Sequence, residues 1–171
     1  MTAYVALLRA VNVGGTGKLP MTELRAMCEA CGFEGVKTYI ASGNVVFASD
    51  LSEGEVKKAL EAKLAAYAGK PVGAMVRTAA EMAAVAKANP FGGRAGNRTL
   101  AIFLDEAPPQ DALDHASGVK DEEMRLGKRE IYVFYGEGMG QSKLKIPAAA
   151  RGTGRNMNSV ETLAEMAAAI S

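Results

Sequence analysis

Two stretches of the sequence share one arrangement, residues 12–24, NVGGTGKLPMTEL, and residues 151–163, RGTGRNMNSVETL. Each runs Gly-Thr-Gly, then a cation, then the start of an apolar-periodic segment. Glycines let backbone N–H groups approach a ligand, and a helix start offers unpaired donors at the positive end of its dipole. Both stretches are therefore candidates to hold an anion, against the plainer reading of flexible β-α loops. Neither matches a nucleotide loop. A Walker A loop ending at Gly17-Lys18 would need glycine at Asn12 and a hydroxyl at Leu19, and the dinucleotide pattern fails because Pro20 stands at its third glycine.

The segment GMGQSKLKIPAAARGTGRN, residues 138–156, gathers Ser142, Lys143, Lys145, Arg151 and Arg155 ahead of a helix. Cations at a helix start oppose its dipole unless an anion intervenes, which favours a binding role. In ASGNVVF, residues 41–47, Ser42 and Asn44 could face a ligand or only make a turn. The candidate ligand-binding set is Arg9, Asn12, Lys18, Ser42, Asn44, Ser142, Lys143, Arg155 and Asn156. Arginine, lysine, asparagine and serine supply charge and directed hydrogen bonds for a small anion.

Other chemistries lack their parts. Cys28 and Cys31 form a C-x2-C pair near a helix end, where the dipole does not lower a thiol pKa, and His115 is the single histidine. No metal, no cofactor and no Ser/His/Asp triad is expected. Whether the protein is an enzyme stays open.

Composition limits the partners. Twenty Lys and Arg oppose nineteen Asp and Glu, so a net charge of +1 gives no overall basic field for nucleic acid or anionic lipid. A chain 49% hydrophobic and 23% charged folds around a core. With no charged lead at the N-terminus and no apolar run of about 18 residues, the expectation is a cytoplasmic protein that does not enter membranes. Oligomeric state is left open.

The elements that must position these residues follow from periodicity. AYVALLRAV, residues 3–11, is apolar on both alternations, a strand covered on both faces. Pro20 suits a first helical position, followed by Leu24, Met27, Cys28 and Cys31 at helical spacing up to Gly32. Residues 36–49 read as a hairpin turning at Gly43 and Asn44. Ser52 with Glu55 opens a second helix carrying Val56, Leu60, Leu64 and Tyr67 on one stripe, with Gly69 after it. A strand at 71–78 follows, and Thr78 with Glu81 opens a short helix that ends before Asn89-Pro90.

This β-α-β-β-α-β order is the ferredoxin-like plait. The second half nearly repeats the plan as β-α-β-β-α: a strand at 99–105, a helix around PQDALDHAS, a hairpin turning near Gly127 and Lys128, and a last helix opened by Asn158 with Glu161. The expected class is α+β, two ferredoxin-like (α/β plait) subdomains whose antiparallel sheets carry helices on one face. Their ranges are residues 1–89 and 98–171, joined by a linker at 89–97.

The stretches YVALLRAVNVGG, TYIASGNVVF, NPF, REIYVFYGEGMGQSKL and GRNMNSV, taken in order, resemble the bacterial domain-of-unknown-function family 1697. That resemblance implies paired α/β plaits and leaves the biochemical role unassigned. Its motif positions fall on Arg9, Asn12, Gly14, Gly15, Ser42, Gly43, Asn44, Ser142, Lys143, Leu144, Arg155, Asn156 and Asn158. Met157 departs from the family's usual tryptophan, and the stretch from Leu144 to Arg155 is short for it. The leading expectation is a site for a small anionic or phosphorylated molecule at the seam between the subdomains. A nucleic-acid-binding module is disfavoured by the neutral charge and the covered sheet face, and a protein-interaction subunit without catalysis is the third reading.

Overall fold

A computed structural model describes residues 1–9, 18–40, 43–136 and 142–170. Asn12, Ser42 and the first Gly-Thr-Gly, up to Gly17, lie outside the described residues. The chain groups into two compact units, Met1–Ala83 together with Thr162–Ser171, and Ala84–Glu161.

The first unit carries β1 (Thr2–Leu8), α1 (Met21–Ala30), β2 (Glu34–Tyr39), β3 (Asn44–Ser49), α2 (Glu53–Ala68) and β4 (Ala74–Thr78). All neighbours in its sheet are antiparallel, in the order β2-β3-β1-β4, as the plait requires. Alternation along β1 sends Tyr4, Ala6 and Leu8 into a core with Leu24, Met27 and Cys28 of α1 and Val56, Leu60 and Leu64 of α2. Val5 and Leu7, on the other face, are fully buried as well, in register with Val46 and Asn44 of β3. Opposite Val5 stands Arg77 of β4, only 1% exposed, its Nη1 donating to the Val76 carbonyl at 3.1 Å.

Local chemistry sets the helix ends. The Ser52–Glu55 capping box is complete, and Gly69 closes α2 in the left-handed conformation, with φ of 71°. Thr78 and Glu81 exchange the same pair of bonds, at 2.9 and 3.1 Å, at the start of α3 (Ala79–Lys87). Three details differ from the sequence reading. Pro20 is the N-cap of α1 rather than its first helical residue. Tyr67 lies off the buried stripe and is 47% exposed. In the β2–β3 hairpin the positive φ values fall at Ile40 (50°) and Gly43 (90°), while Asn44 is a strand residue paired with Tyr39. A β-branched residue rarely adopts this conformation.

The second unit carries β5 (Thr99–Phe103), β6 (Glu123–Leu126), β7 (Glu130–Phe134) and β8 (Thr153–Asn156), antiparallel in the order β6-β7-β5-β8. That is the first sheet's order repeated. Helix α4 (Met157–Ile170) follows β8 directly.

Here three expectations are corrected. The helix around PQDALDHAS is a single 3-10 turn, Ala112–His115, entered from Pro109, whose carbonyl accepts from the Ala112 N–H at 3.0 Å. The second Gly-Thr-Gly is not a loop, since Thr153–Asn156 is the fourth strand, paired residue by residue with β5. Its glycines admit the neighbouring strand: a Cβ on Gly152 would stand 2.8 Å from Ile102, Leu104 and the Phe103 carbonyl. The cap of α4 is Asn156, whose Oδ1 accepts from the Ser159 N–H at 2.9 Å, and not Asn158.

Candidate functional site

In the first unit the C-terminal end of β1 meets the start of β4, where the Arg9 N–H donates to the Gly73 carbonyl at 2.9 Å. Gly73 leaves room for the Arg9 side chain, which would lie 3.7 Å from a Cβ placed there. The last turns of α2 bring Leu64, Tyr67 and Ala68 to the same place, and the link to β4 adds Lys70, Pro71 and Val72. Lys18 and Leu19, leading into α1, close the far wall. The result is a cleft of about 460 Å³ in which Arg9, Lys18 and Lys70 converge over an apolar floor and no carboxylate lines the wall among the described residues.

The nearest carboxylate is already engaged. Glu61 Oε2 accepts from Lys57 Nζ at 2.8 Å and from the Ala74 N–H at 2.9 Å, while Lys57 also donates to the Ala74 carbonyl at 2.6 Å. That arrangement fixes the middle of α2 against the start of β4 and keeps the Glu61 carboxylate paired. Lys70 sits just past the helix C-terminus, where a cation is favoured by the dipole as well.

The other candidates divide. Ser142 and Lys143 line a recess of about 390 Å³ in the second unit with Gly118, Lys120, Asp121 and Glu122. Its charges are mixed, and Ser142 is committed: its hydroxyl donates to Glu122 in a short hydrogen bond and accepts from the Leu144 N–H at 3.2 Å. Glu122 also accepts from the Lys120 N–H at 2.7 Å. The Ser142 bond first, and backbone donors after it, hold the Glu122 carboxyl below its ordinary range.

A depressed carboxylate stabilises the fold fully above its unfolded pKa, about 4.3, and loses that contribution as pH falls through the lower folded value. Ser142→Ala is therefore expected to melt lower than the native protein at neutral pH, with the deficit shrinking on acidification to about pH 3. Thermal unfolding at both pH values checks this; an unchanged deficit would show that the bond to ionised Glu122 is not its source.

Asn44 is fully buried, and its Nδ2 donates to the Tyr39 carbonyl at 2.9 Å, closing the hairpin rather than facing a ligand. Arg155 lies on β8, 7% exposed, its Nη1 donating to Thr153 Oγ1 at 2.6 Å and to the Gly154 carbonyl at 2.9 Å. Burial lowers its pKa to about 10, which leaves it a cation at neutral pH. Asn156 is occupied as the α4 cap. Burial also raises both thiols, Cys28 to about 12, so neither is a thiolate nucleophile near neutrality. No group of three metal-ligating side chains occurs among the described residues.

Arg9 and Lys18 thus share one cleft, and Ser142 and Lys143 share another. Sequence reasoning missed Lys70 and Tyr67 as wall residues. Their signal was present in Gly69-Lys70-Pro71, a cation held between a helix stop and a rigid residue, which reads as a helix end.

Comparison with known proteins bears on identity. A search of curated proteins found no match. Among solved structures, the conserved bacterial protein SP0830 from Streptococcus pneumoniae is similar at a TM-score of 0.80 and 28% identity, covering 97% of this chain and 98% of that one. No helix among the described residues is long and apolar enough to cross a membrane. The model of the family described as protein of unknown function (DUF1697) matches residues 1–132, and the chain belongs to that family.

Proposed function

We propose that the protein binds a small anionic molecule, such as a phosphorylated metabolite, in the cleft of the first unit. One observation carries this reading: Arg9, Lys18 and Lys70 converge on a space of about 460 Å³ with no lining carboxylate among the described residues. A volume of that size suits a metabolite, and three cations around an apolar floor suit a phosphate attached to a less polar body. Tyr67 in the lining adds an aromatic group beside that body. The described lining holds no serine, cysteine, histidine or acid, so any chemistry there would work through charge and positioning.

A thermal-shift screen of phosphorylated metabolites and nucleotides tests it, with the native protein beside Lys18→Ala/Lys70→Ala. A ligand at 100 times its Kd adds about 2.7 kcal/mol to the folded state. At about 2–4 °C per kcal/mol for a chain of this size, the expected rise is about 5–10 °C. The double variant is expected to keep its unliganded melting point and lose the rise. A rise of equal size in both proteins would remove the cleft from the reading.

A further inference from the structure

The two sheets are covered unequally on the faces that carry their β-α-β connections. In the first unit, α1 and α2 seal the face with Leu24, Met27, Cys28, Val56, Leu60 and Leu64, all buried. In the second, the described residues of the corresponding connections contain the 3-10 turns Ala112–His115 and Pro147–Ala149 and no α-helix. Four core residues there are buried, Leu104, Ile131, Val133 and Ile146, whereas Ile102, Tyr135, Leu144 and Ala149 are among the apolar groups that stay partly open. A short turn cannot cover what a helix of three or four turns covers.

The opening is an open hollow of about 480 Å³, with Ile102, Tyr135, Leu144, Ile146 and Ala149 in its wall. Ser117 and Lys145 complete the rim and hold it rigid, for their backbones exchange two hydrogen bonds at 2.9 and 2.8 Å. A preformed apolar space with few polar groups is the usual form of a small-ligand site, because little ordering entropy is lost on binding. Lys145 is the one charged residue in the described lining, which itself holds no carboxylate. Charge complementarity therefore selects a monoanion, and the apolar wall selects its body.

We propose that this cavity binds a small apolar carboxylic acid, its alkyl or aryl tail against Ile102, Leu144 and Ile146 and its carboxylate at the Lys145 rim. Tyr135 also lines the wall, its phenol pushed above its ordinary pKa by burial and by the Glu122 charge. This site differs in chemistry from the first-unit cleft, which gathers three cations.

Octanoate, titrated into the full-length protein by calorimetry and followed by amide NMR, is the probe, with octanol and inorganic phosphate as comparisons. One octanoate is expected per chain, perturbing the amides of Ser117, Tyr135, Lys145 and Ala149 and binding about tenfold tighter than octanol, a difference of about 1.4 kcal/mol. Lys145→Ala is expected to bring the two affinities level. Ala149→Trp, at a partly open wall position, is expected to fill the space and weaken octanoate at least tenfold. Lys18→Ala/Lys70→Ala is expected to bind octanoate normally, so loss of phosphate binding there leaves this proposal standing. Equal binding of octanol and octanoate to the native protein would overturn it. So would amide changes elsewhere, or an octanoate-insensitive dimer that buries this face against a second copy.

Discussion

Replacing Gly118 by alanine is expected to cost the second unit about 3–5 kcal/mol, combining a left-handed-conformation penalty with broken backbone bonds and steric displacement. Gly118 sits at φ of 68°, where an L side chain is disfavoured. More seriously, a Cβ there would stand 2.1 Å from the Lys143 carbonyl oxygen and 2.7 Å from its carbon. Those are backbone atoms, so no rotamer change relieves the overlap. The chain at 117–118 must move away from 143–145, and the paired bonds between Ser117 and Lys145 go with it.

Gly136 provides the control. Its φ of 62° is alike, yet the nearest atoms to a Cβ are 3.8 Å away. Gly136→Ala therefore carries only the conformational penalty, about 1–2 kcal/mol. Urea unfolding of both variants measures the difference. Equal losses would mean that the close approach of Gly118 to Lys143 is not what requires glycine.

The second large effect lies in the first unit. Phe47 is fully buried on β3, stacked on Phe33 at 4.2 Å between centroids with 5° between planes, and tilted against Tyr4 at 6.1 Å. Phe47→Ala removes the ring and leaves a cavity between two aromatic partners whose own positions are fixed, Tyr4 by its hydroxyl donating to the Leu51 carbonyl at 2.7 Å. The expected cost is about 3–5 kcal/mol for the truncation, to which aromatic pairing adds about 0.5–1.5. Against a typical total of about 5–15 kcal/mol, that loss brings the unit close to unfolding at room temperature. Phe47→Leu, which refills much of the volume, is expected to lose clearly less. Denaturant melts of the two variants check this, and a leucine variant as unstable as the alanine one would show that volume is not the controlling quantity.

What the sequence reveals about this fold is what is decided locally. Ser52 with Glu55 and Thr78 with Glu81 are legible because cap and partner lie three residues apart and the bond depends on nothing else. The strand Thr153–Asn156 is illegible for the opposite reason. Its four residues have no apolar alternation, and only pairing with β5, fifty or more positions away, makes them a strand. The misplaced α4 cap follows from that: two asparagines stand two residues apart, and the geometry of β8 running into the helix selects Asn156. Arg9 and Lys18 are readable as candidates for one site because cations beside glycine loops are unusual enough to notice. Lys70 joins them only through the wrap of β-α-β-β-α-β, which brings the end of α2 beside the end of β1.

The grouping of Thr162–Ser171 with Met1–Ala83 has a consequence for the order in which the protein is made. A ribosome delivers the first unit's sheet and two helices early, but the residues that complete that unit emerge only after the second unit. The second unit, contiguous from Ala84 to Glu161, has its whole sequence available sooner. At about 5–20 residues per second, the first unit waits on the order of several seconds for its final turns of helix. During synthesis the unit that starts first is therefore the one that waits incomplete, and the unit that starts second is the first to have its whole sequence.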